Sequence, residues 1–361
     1  MKPPALPATR PNARVVSDTH PDGRVVSDTH PGGRVVSGMR PTGALHLGHY
    51  HGALENWVRL QHAHECFFFV ADWHALTTHY AEREGLERNV YDMVVDWLAA
   101  GIDPDRATLF IQSRLPEHAE LFTLLAMGTP LAWLERVPSY KDQMKALAGR
   151  DLATYGFLGY PLLQAADILI YKAALVPVGA DQAPHVEVTR EVARRFNHLY
   201  GAGRSVLPEP AVLLTQVSRL PGLDGAKMSK SLGNDIAMRE EPAEVERKIR
   251  RMPTDPDRVR RTDKGNPERC PVWAFHQVYS DADTRAWVVT GCTTAGIGCL
   301  ACKQPVVDAI VRQQAPWRER ADAYLGNPKH VHWIVEVGTE RARTVARQTM
   351  REVRAAMGLV Y

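Results

Sequence analysis

The sequence predicts an α/β fold: a doubly wound parallel sheet of Rossmann-like kind, followed by a C-terminal helical domain. Two observations predict it. From residue 34 to about 200, short β-branched and aromatic runs alternate with segments of helical period, the order of strands joined by crossover helices. After about residue 232 the strand-like runs stop. A length of 361 residues is enough for about two domains.

The elements follow in order. Residues 14–43 repeat one ten-residue phrase three times, as "RVVSDTHPDG", "RVVSDTHPGG" and "RVVSGMRPTG". A period of ten that stops after three copies is too short for a solenoid unit. Each copy reads as a short strand and a turn. Only the third runs on into "ALHLGHY". Residues 1–33 are therefore expected to be a weakly ordered extension, left by local duplication. Residues 34–232 are expected to form the α/β domain. In it "RVVSG" is the first strand, "MRPTGALHLG" a loop and "HYHGALENWVRLQH" a helix. "CFFFVADWHAL" reads as a buried strand, "NVYDMVVDWLAAG" as a helix stopped by Gly101, and "ATLFIQS" as a third strand. Residues 116–148 read as helical. "GYPLLQAADILIYKA" reads as a helix with Pro161 in its first turn. "LVPVG" is the next strand and "PHVEVTREVARRFNHLY" a helix. Residues 233–361 are expected to be helical, beginning at "EEPAEVERKIRRM", with a cysteine-bearing loop region.

Hydrophobic residues make up 45% of the chain and charged residues 24%, the balance of an ordinary folded domain. No apolar run approaches the roughly 20 residues that a membrane helix needs. The N-terminus lacks the apolar core of a secretion signal, so a cytoplasmic location is expected. A net charge of +3 does not establish nucleic-acid binding. The distribution says more: 247–261 is a basic run, and Arg341, Arg343, Arg347, Arg351 and Arg354 recur along one segment. Such stripes suit phosphate neutralisation, or are solvated helix faces.

Two motifs carry the chemistry. "HLGH" (His46, Leu47, Gly48, His49) lies where the first strand gives way to the first helix. Free backbone N–H groups and the positive helix end make that junction a phosphate site. Imidazoles there can donate to a nucleotide triphosphate as charge builds in a transition state. Gly48 lets the ligand come close to the backbone. "KMSKS" (Lys227, Met228, Ser229, Lys230, Ser231) sits in the glycine-flanked loop "GLDGAKMSKSLGN". Its lysines could swing onto a pyrophosphate leaving group.

The pair of motifs resembles the signatures of the class I aminoacyl-tRNA synthetases. "GYPLLQAADILIYKAALVPVGADQAPHVEVTREVARRFN" is similar to the tryptophanyl-tRNA synthetase core, as are "SGMRPTGALHLGHY" and "LERVPSYKDQ". The resemblance runs from about residue 34 to the C-terminus. It implies a ligase that makes tryptophanyl-adenylate and pyrophosphate from L-tryptophan and ATP, with Mg²⁺ on the phosphates. It would then charge tRNA(Trp). His46, His49, Lys227 and Lys230 would be catalytic. ATP would contact Arg40, Pro41, Thr42, Gly48, His49, Gly179, Ala180, Asp181 and the "KMSKS" residues. A homodimer, a catalytic nucleotide-binding domain over 34–232 and an anticodon-binding domain over 233–361 are also implied.

Tyr160, Gln164, Asp167 and Tyr171 follow a spacing of 4, 3 and 4, so they share one helix face. By themselves they suit a cap or a core network. The resemblance implies that Asp167 accepts the indole N–H, with Tyr160, Gln164 and Gln182 holding the amino-acid end. The sequence departs from the family's common pattern at Val36, Arg40 and Gln164. Gln164 also echoes tyrosyl enzymes. Two other readings compete: a small-molecule nucleotidyltransferase, which leaves "KMSKS" with "GADQ" unexplained, and a synthetase-derived RNA-binding or regulatory protein.

Cys270, Cys292, Cys299 and Cys302 are separated by 21, 6 and 2 residues. Thiolates so placed could converge on a metal or cluster. Some tryptophanyl-tRNA synthetases have a similar pattern, which implies a 4Fe–4S cluster; zinc and plain thiols are the alternatives. Cys66 reads as an ordinary buried thiol.

Overall fold

The structure is a computed structural model. It describes residues 33–81, 84–138, 140, 153–179, 182–214 and 220–361. The first two copies of the repeat lie outside the described residues, as do Ala180 and Asp181.

Five parallel strands form one sheet: β1 (Arg34–Met39), β2 (Glu65–Val70), β3 (Ala107–Ile111), β4 (Leu175–Val178) and β5 (Ala211–Leu214). Their spatial order is β3-β2-β1-β4-β5. The order reverses between β1 and β4, which pair through Val35 and Leu175. At such a reversal the two connections leave on opposite sides and open a crevice at the carboxyl ends of the strands. The doubly wound sheet is as expected, and the third repeat copy forms its central strand. Helices cover both faces, so β2 and β3 are buried almost throughout.

Several boundaries differ from the expectation. β2 ends at Val70, and "ADWHAL" begins the helix Asp72–His79 instead of continuing the strand. This turn places His74 at the crevice. The helix after β1 is not uniform: Leu47–His49 passes into a π-helical turn, Tyr50–Leu54, before Glu55–Leu60. Residues 116–138 divide into helices Glu117–Ala126 and Leu131–Glu135, parted at Gly128 and Pro130; most of 139–148 lies outside the described residues. The helix around Pro161 starts earlier, at Tyr155, because the Thr154 hydroxyl caps it by accepting from Phe157 N at 3.2 Å. Pro161 therefore sits inside the helix rather than in its first turn. β5 was not expected; "AVLL" is only 4 residues long and has no alternation to mark it.

The chain after 232 has no strand among its described residues. Its helices are Pro242–Arg251, Pro271–Tyr279, Ala282–Thr293, Cys299–Leu325 and Pro328–Ala356. The last returns to the sheet. Ala342, Ala346, Met350 and Val353 join the same apolar core as Val36, Phe67 and Phe110. Gly338 lies so close to β3 that a Cβ would collide with the Leu109 carbonyl. This helix covers an edge strand whose backbone would otherwise be open to pairing.

Candidate active site

A cleft of about 480 Å³ opens at the reversal between β1 and β4. Its walls come from the ends of both strands (Ser37 to Arg40, and Pro177 to Gly179), from the first helix and from the helix Tyr155–Leu169. Gly48, His49, Arg40, Tyr160, Gln164, Asp167, Gly179, Gln182 and Lys227 all line it. So does Val36, one of the departures from the family pattern.

The first motif has tight local geometry. The His46 and His49 rings lie 3.7 Å apart between centroids. His46 N–H donates to His49 Nδ1 at 3.3 Å. Nδ1 is thus an acceptor, and neutral His49 carries its proton on Nε2. Burial pushes His46 down to about 4 and His49 down to about 3; the neighbouring lysines of the second motif push in the same direction. Both imidazoles are uncharged near neutrality. They act as hydrogen-bond donors that can gain charge when a phosphate arrives. His46 Nδ1 is buried without a partner. His46 is buried behind the cleft wall, and His49 is the one that reaches the cleft. Gly48 separates them with little room to spare: a Cβ would stand 3.0 Å from the His46 ring, a tight approach, and 3.4 Å from Met228 Cβ.

That contact joins the two motifs. Gly48 N–H donates to Met228 Sδ at 3.3 Å. Leu47 N–H donates to Ile236 O at 2.9 Å, and Met238 N–H to Leu45 O at 2.8 Å. The segment after "KMSKS" is thereby stitched to the segment before "HLGH". Lys230 Nζ lies 3.5 Å from Thr42 O and over Gly43, where φ is +109° and a Cβ would be 2.8 Å from Nζ. Burial lowers the Lys230 pKa, opposed by Asp235 and Asp96. Pro41 is buried in the same loop, and Ser231 falls in the turn Lys230–Leu232.

Sequence reasoning missed the residues that hold these loops. Asn234 is buried and acts as a staple: its Oδ1 accepts from Ser229 N–H at 2.7 Å, and its Nδ2 donates to Asp224 Oδ1 at 2.8 Å and to Lys227 O at 3.2 Å. Buried Asp96 accepts from Leu45 N–H at 3.1 Å and from Arg239 Nε at 2.6 Å. It pins the "PTGAL" loop to the helix Leu86–Ala100.

At the floor of the cleft, Asp167 is 1% exposed. Burial pushes its pKa up, but hydrogen bonds from His118 and His74 outweigh this and hold it below the usual carboxylate range. Gln112 Nε2 bridges both carboxylate oxygens at 2.8 and 2.9 Å. Gln112, at the carboxyl end of β3, stands where open α/β sheets bind ligands, a signal the sequence did carry. Of the four residues on the shared face, Tyr160, Gln164 and Asp167 line the cleft. Tyr171 does not; it is fully buried behind Asp167.

The family described as tRNA synthetases class I (W and Y) matches residues 30–312. The chain belongs to this family of class I synthetases. A tryptophan–tRNA ligase of Ralstonia nicotianae is 58% identical, over 88% of this chain and 96% of its own. A tryptophan–tRNA ligase of Thermotoga maritima is 53% identical over 88% and 97%. In structure, the synthetase resembles a tryptophanyl-tRNA synthetase of Campylobacter jejuni complexed with ADP and tryptophan. The TM-score is 0.80 at 31% identity, covering 90% of this chain and all of that one (100%).

The four cysteines between 270 and 302 lie at or near helix starts and ends. Cys270 precedes the helix Pro271–Tyr279, Cys292 is near the end of Ala282–Thr293, and Cys299 opens Cys299–Leu325, which also carries Cys302. All are free thiols. They lie close enough for Cys270, Cys292 and Cys299 each to push the Cys302 thiol up, after burial, to about 12. Among the described residues, however, no three His, Cys, Asp or Glu side chains are placed to hold a metal ion. A guanidinium and an imidazole adjoin the thiols. Arg258 is 8% exposed, reaches Cys292 Sγ at 3.9 Å and leaves its Nε buried without a partner. His276 Nε2 lies 3.4 Å from Cys302 Sγ.

Proposed function

We propose that the cleft joins L-tryptophan to ATP and then passes tryptophan to tRNA(Trp). The protein is a tryptophan–tRNA ligase, an enzyme. The observation that carries the reading is that "HLGH" and "KMSKS", 180 residues apart between Gly48 and Met228, meet at one edge of a cleft whose floor is an ionised carboxylate. In the first step a tryptophan carboxylate oxygen attacks the α-phosphorus of ATP in line. The bond from that phosphorus to the bridging oxygen breaks, and pyrophosphate leaves with the electron pair. No enzyme nucleophile is needed. Lys227, Lys230 and the His49 Nε2–H stabilise the growing charge, with His46 behind them. ATP enters as its Mg²⁺ complex. Arg40, Thr42, Gly48 and Gly179, with Ala180 and Asp181, would hold the nucleotide. Asp167 would accept the indole N–H, with Tyr160, Gln164 and Gln182 at the ammonium end. In the second step the terminal ribose hydroxyl of the tRNA attacks the acyl carbon and AMP leaves.

Tryptophan-dependent exchange of pyrophosphate into ATP tests the reading. We expect exchange with tryptophan and much less with tyrosine or phenylalanine. Equal exchange with tyrosine would overturn the choice of substrate, and Gln164 would then be read as a tyrosyl feature.

We further propose that residues 233–361 meet the anticodon, and that Cys270, Cys292, Cys299 and Cys302 hold a 4Fe–4S cluster there. The buried guanidinium of Arg258, whose Nη1 reaches Cys292 Sγ at 3.9 Å, suits an anionic thiolate site, since a cation beside a thiol favours its thiolate form. Such a cluster would be held by the four thiolates and would cross-link the three helix ends that carry them. Anaerobically purified protein should contain about four iron and four sulfide per chain; zinc in their place would refute it. Cys299→Ser should lose iron and tRNA charging but keep exchange. A homodimer fits exposed Met127 and Leu199, 73% and 47% accessible, which flank Gly128. Sedimentation would test it. Among the described residues no helix is long and apolar enough to cross a membrane, which suits a cytoplasmic location.

A further inference from the structure

We infer that His118, backed by Tyr171, is a positioning residue that makes the cleft specific for a side chain with an N–H donor. The inference rests on the reading that Asp167 receives the indole N–H.

Asp167 does not stand alone. His118 Nδ1 lies 2.6 Å from Asp167 Oδ1, and its other nitrogen, Nε2, lies 2.6 Å from the Tyr171 hydroxyl. His74 Nε2 lies 2.9 Å from Asp167 Oδ2. The imidazole of His118 is 0% exposed, as is Tyr171. The proton positions follow from chemistry. An ionised carboxylate only accepts, so His118 Nδ1 carries a proton and donates it. Nε2 shares the second hydrogen bond with the Tyr171 hydroxyl; burial pushes the Tyr171 pKa up, so that hydroxyl keeps its proton. The chain of hydrogen bonds links Tyr171, His118 and Asp167, and it fixes the orientation of the imidazole.

Two consequences follow for the cleft. First, a dry carboxyl group without its donors takes up a proton. It would then offer an O–H where the ligand needs an acceptor. Second, the donors His118 and Gln112 approach from the buried side. His74 shares the cleft wall with Asp167. A carboxylate has about four lone-pair directions; Oδ1 receives His118 and Gln112, Oδ2 receives Gln112 and His74, and His74 is the one of these donors that lines the cleft, so Oδ2 is the oxygen an incoming N–H would share with it. The relay therefore keeps Asp167 charged and turned so that Oδ2, on the His74 side, meets an N–H. His118 and Tyr171 do not line the cleft; they act through Asp167.

The test compares two ligands in pyrophosphate exchange: tryptophan, and the analogue with sulfur in place of the indole nitrogen. The two have nearly the same shape, but the analogue has no N–H. The wild-type enzyme should favour tryptophan by about tenfold or more, the scale of a hydrogen bond to a charged group. His118→Leu should erase most of that preference. The tryptophan KM should rise, the analogue KM should stay within about twofold, and kcat should change less. His118→Asn, whose amide can stand in for Nδ1–H, should restore most of the preference. Tyr171→Phe removes one oxygen only and should lower the preference by a few-fold, on the scale of one neutral hydrogen bond. It decides the matter if His118→Leu does not fold. An equal loss for both ligands would mean that His118 only packs. An unchanged preference in both Tyr171→Phe and His118→Leu would overturn the inference. No preference in the wild type would instead overturn the Asp167–indole contact itself.

Discussion

Gly48 leaves little room for a side chain beside the His46 ring. Gly48→Ala would press the new methyl to 3.0 Å from the His46 ring, which would have to give by a few tenths of an ångström. We expect a large fall in kcat for exchange with little change in the tryptophan KM, because the displaced ring faces phosphate. Lys227→Ala and Lys230→Ala should show the same split, since their partners gain charge only in the transition state. A normal kcat with a raised tryptophan KM would contradict these roles. The two histidines also make a pH prediction. Unfolded, each takes a proton below its ordinary value of 6.5; folded, they wait until about 4 and about 3. The unfolded chain thus binds more protons between those values, and stability falls as pH drops through that window. Above pH 6.5 the pair has no such effect. Urea midpoints from pH 7 to 4.5 should therefore fall more steeply in the wild type than in His46→Asn/His49→Asn.

At the level of elements, the helix Tyr155–Leu169 aims Asp167, Gln164 and Tyr160 into the cleft. Its start depends on one hydroxyl, that of Thr154. Thr154→Ala should cost about 1 kcal/mol of stability, the usual value of an N-cap, read from denaturant unfolding. The tryptophan KM should rise modestly if the first turn frays toward Tyr160. The helix was legible in its apolar run, but its start was not. Pro161 suggested a first turn, whereas the Thr154 cap lies 7 residues earlier. The end of β2 was hidden for a similar reason. "CFFFVADWHAL" is apolar throughout, and periodicity cannot separate a buried strand from the helix that follows it.

For the whole molecule, the C-terminal helix Pro328–Ala356 belongs to the sheet as much as to the helices before it. Gly338→Val would drive a side chain into the Leu109 carbonyl. We expect a loss of about 1–3 kcal/mol or more, the cost of overpacking, and a lower unfolding midpoint. Exchange should fall with the folded fraction and not before it. Deleting residues 1–32, in contrast, should leave exchange nearly unchanged, since β1 begins at Arg34. A large fall in kcat for the folded, truncated protein would give the repeats a role.

By itself the sequence determined the parallel sheet, the two phosphate motifs, the family and the residue type at the floor of the cleft. All of these are written in local pattern: strand and helix alternate in order, "HLGH" and "KMSKS" are contiguous, and one helix face carries Tyr160, Gln164 and Asp167. Only the tertiary structure decided what holds them. Met228 against Gly48, Asn234 under Ser229, Asp96 beneath Leu45 and the His118–Tyr171 relay behind Asp167 join residues far apart in the chain. A buried polar group must find its partner wherever the fold brings one, and one sequence does not say which distant segment that will be.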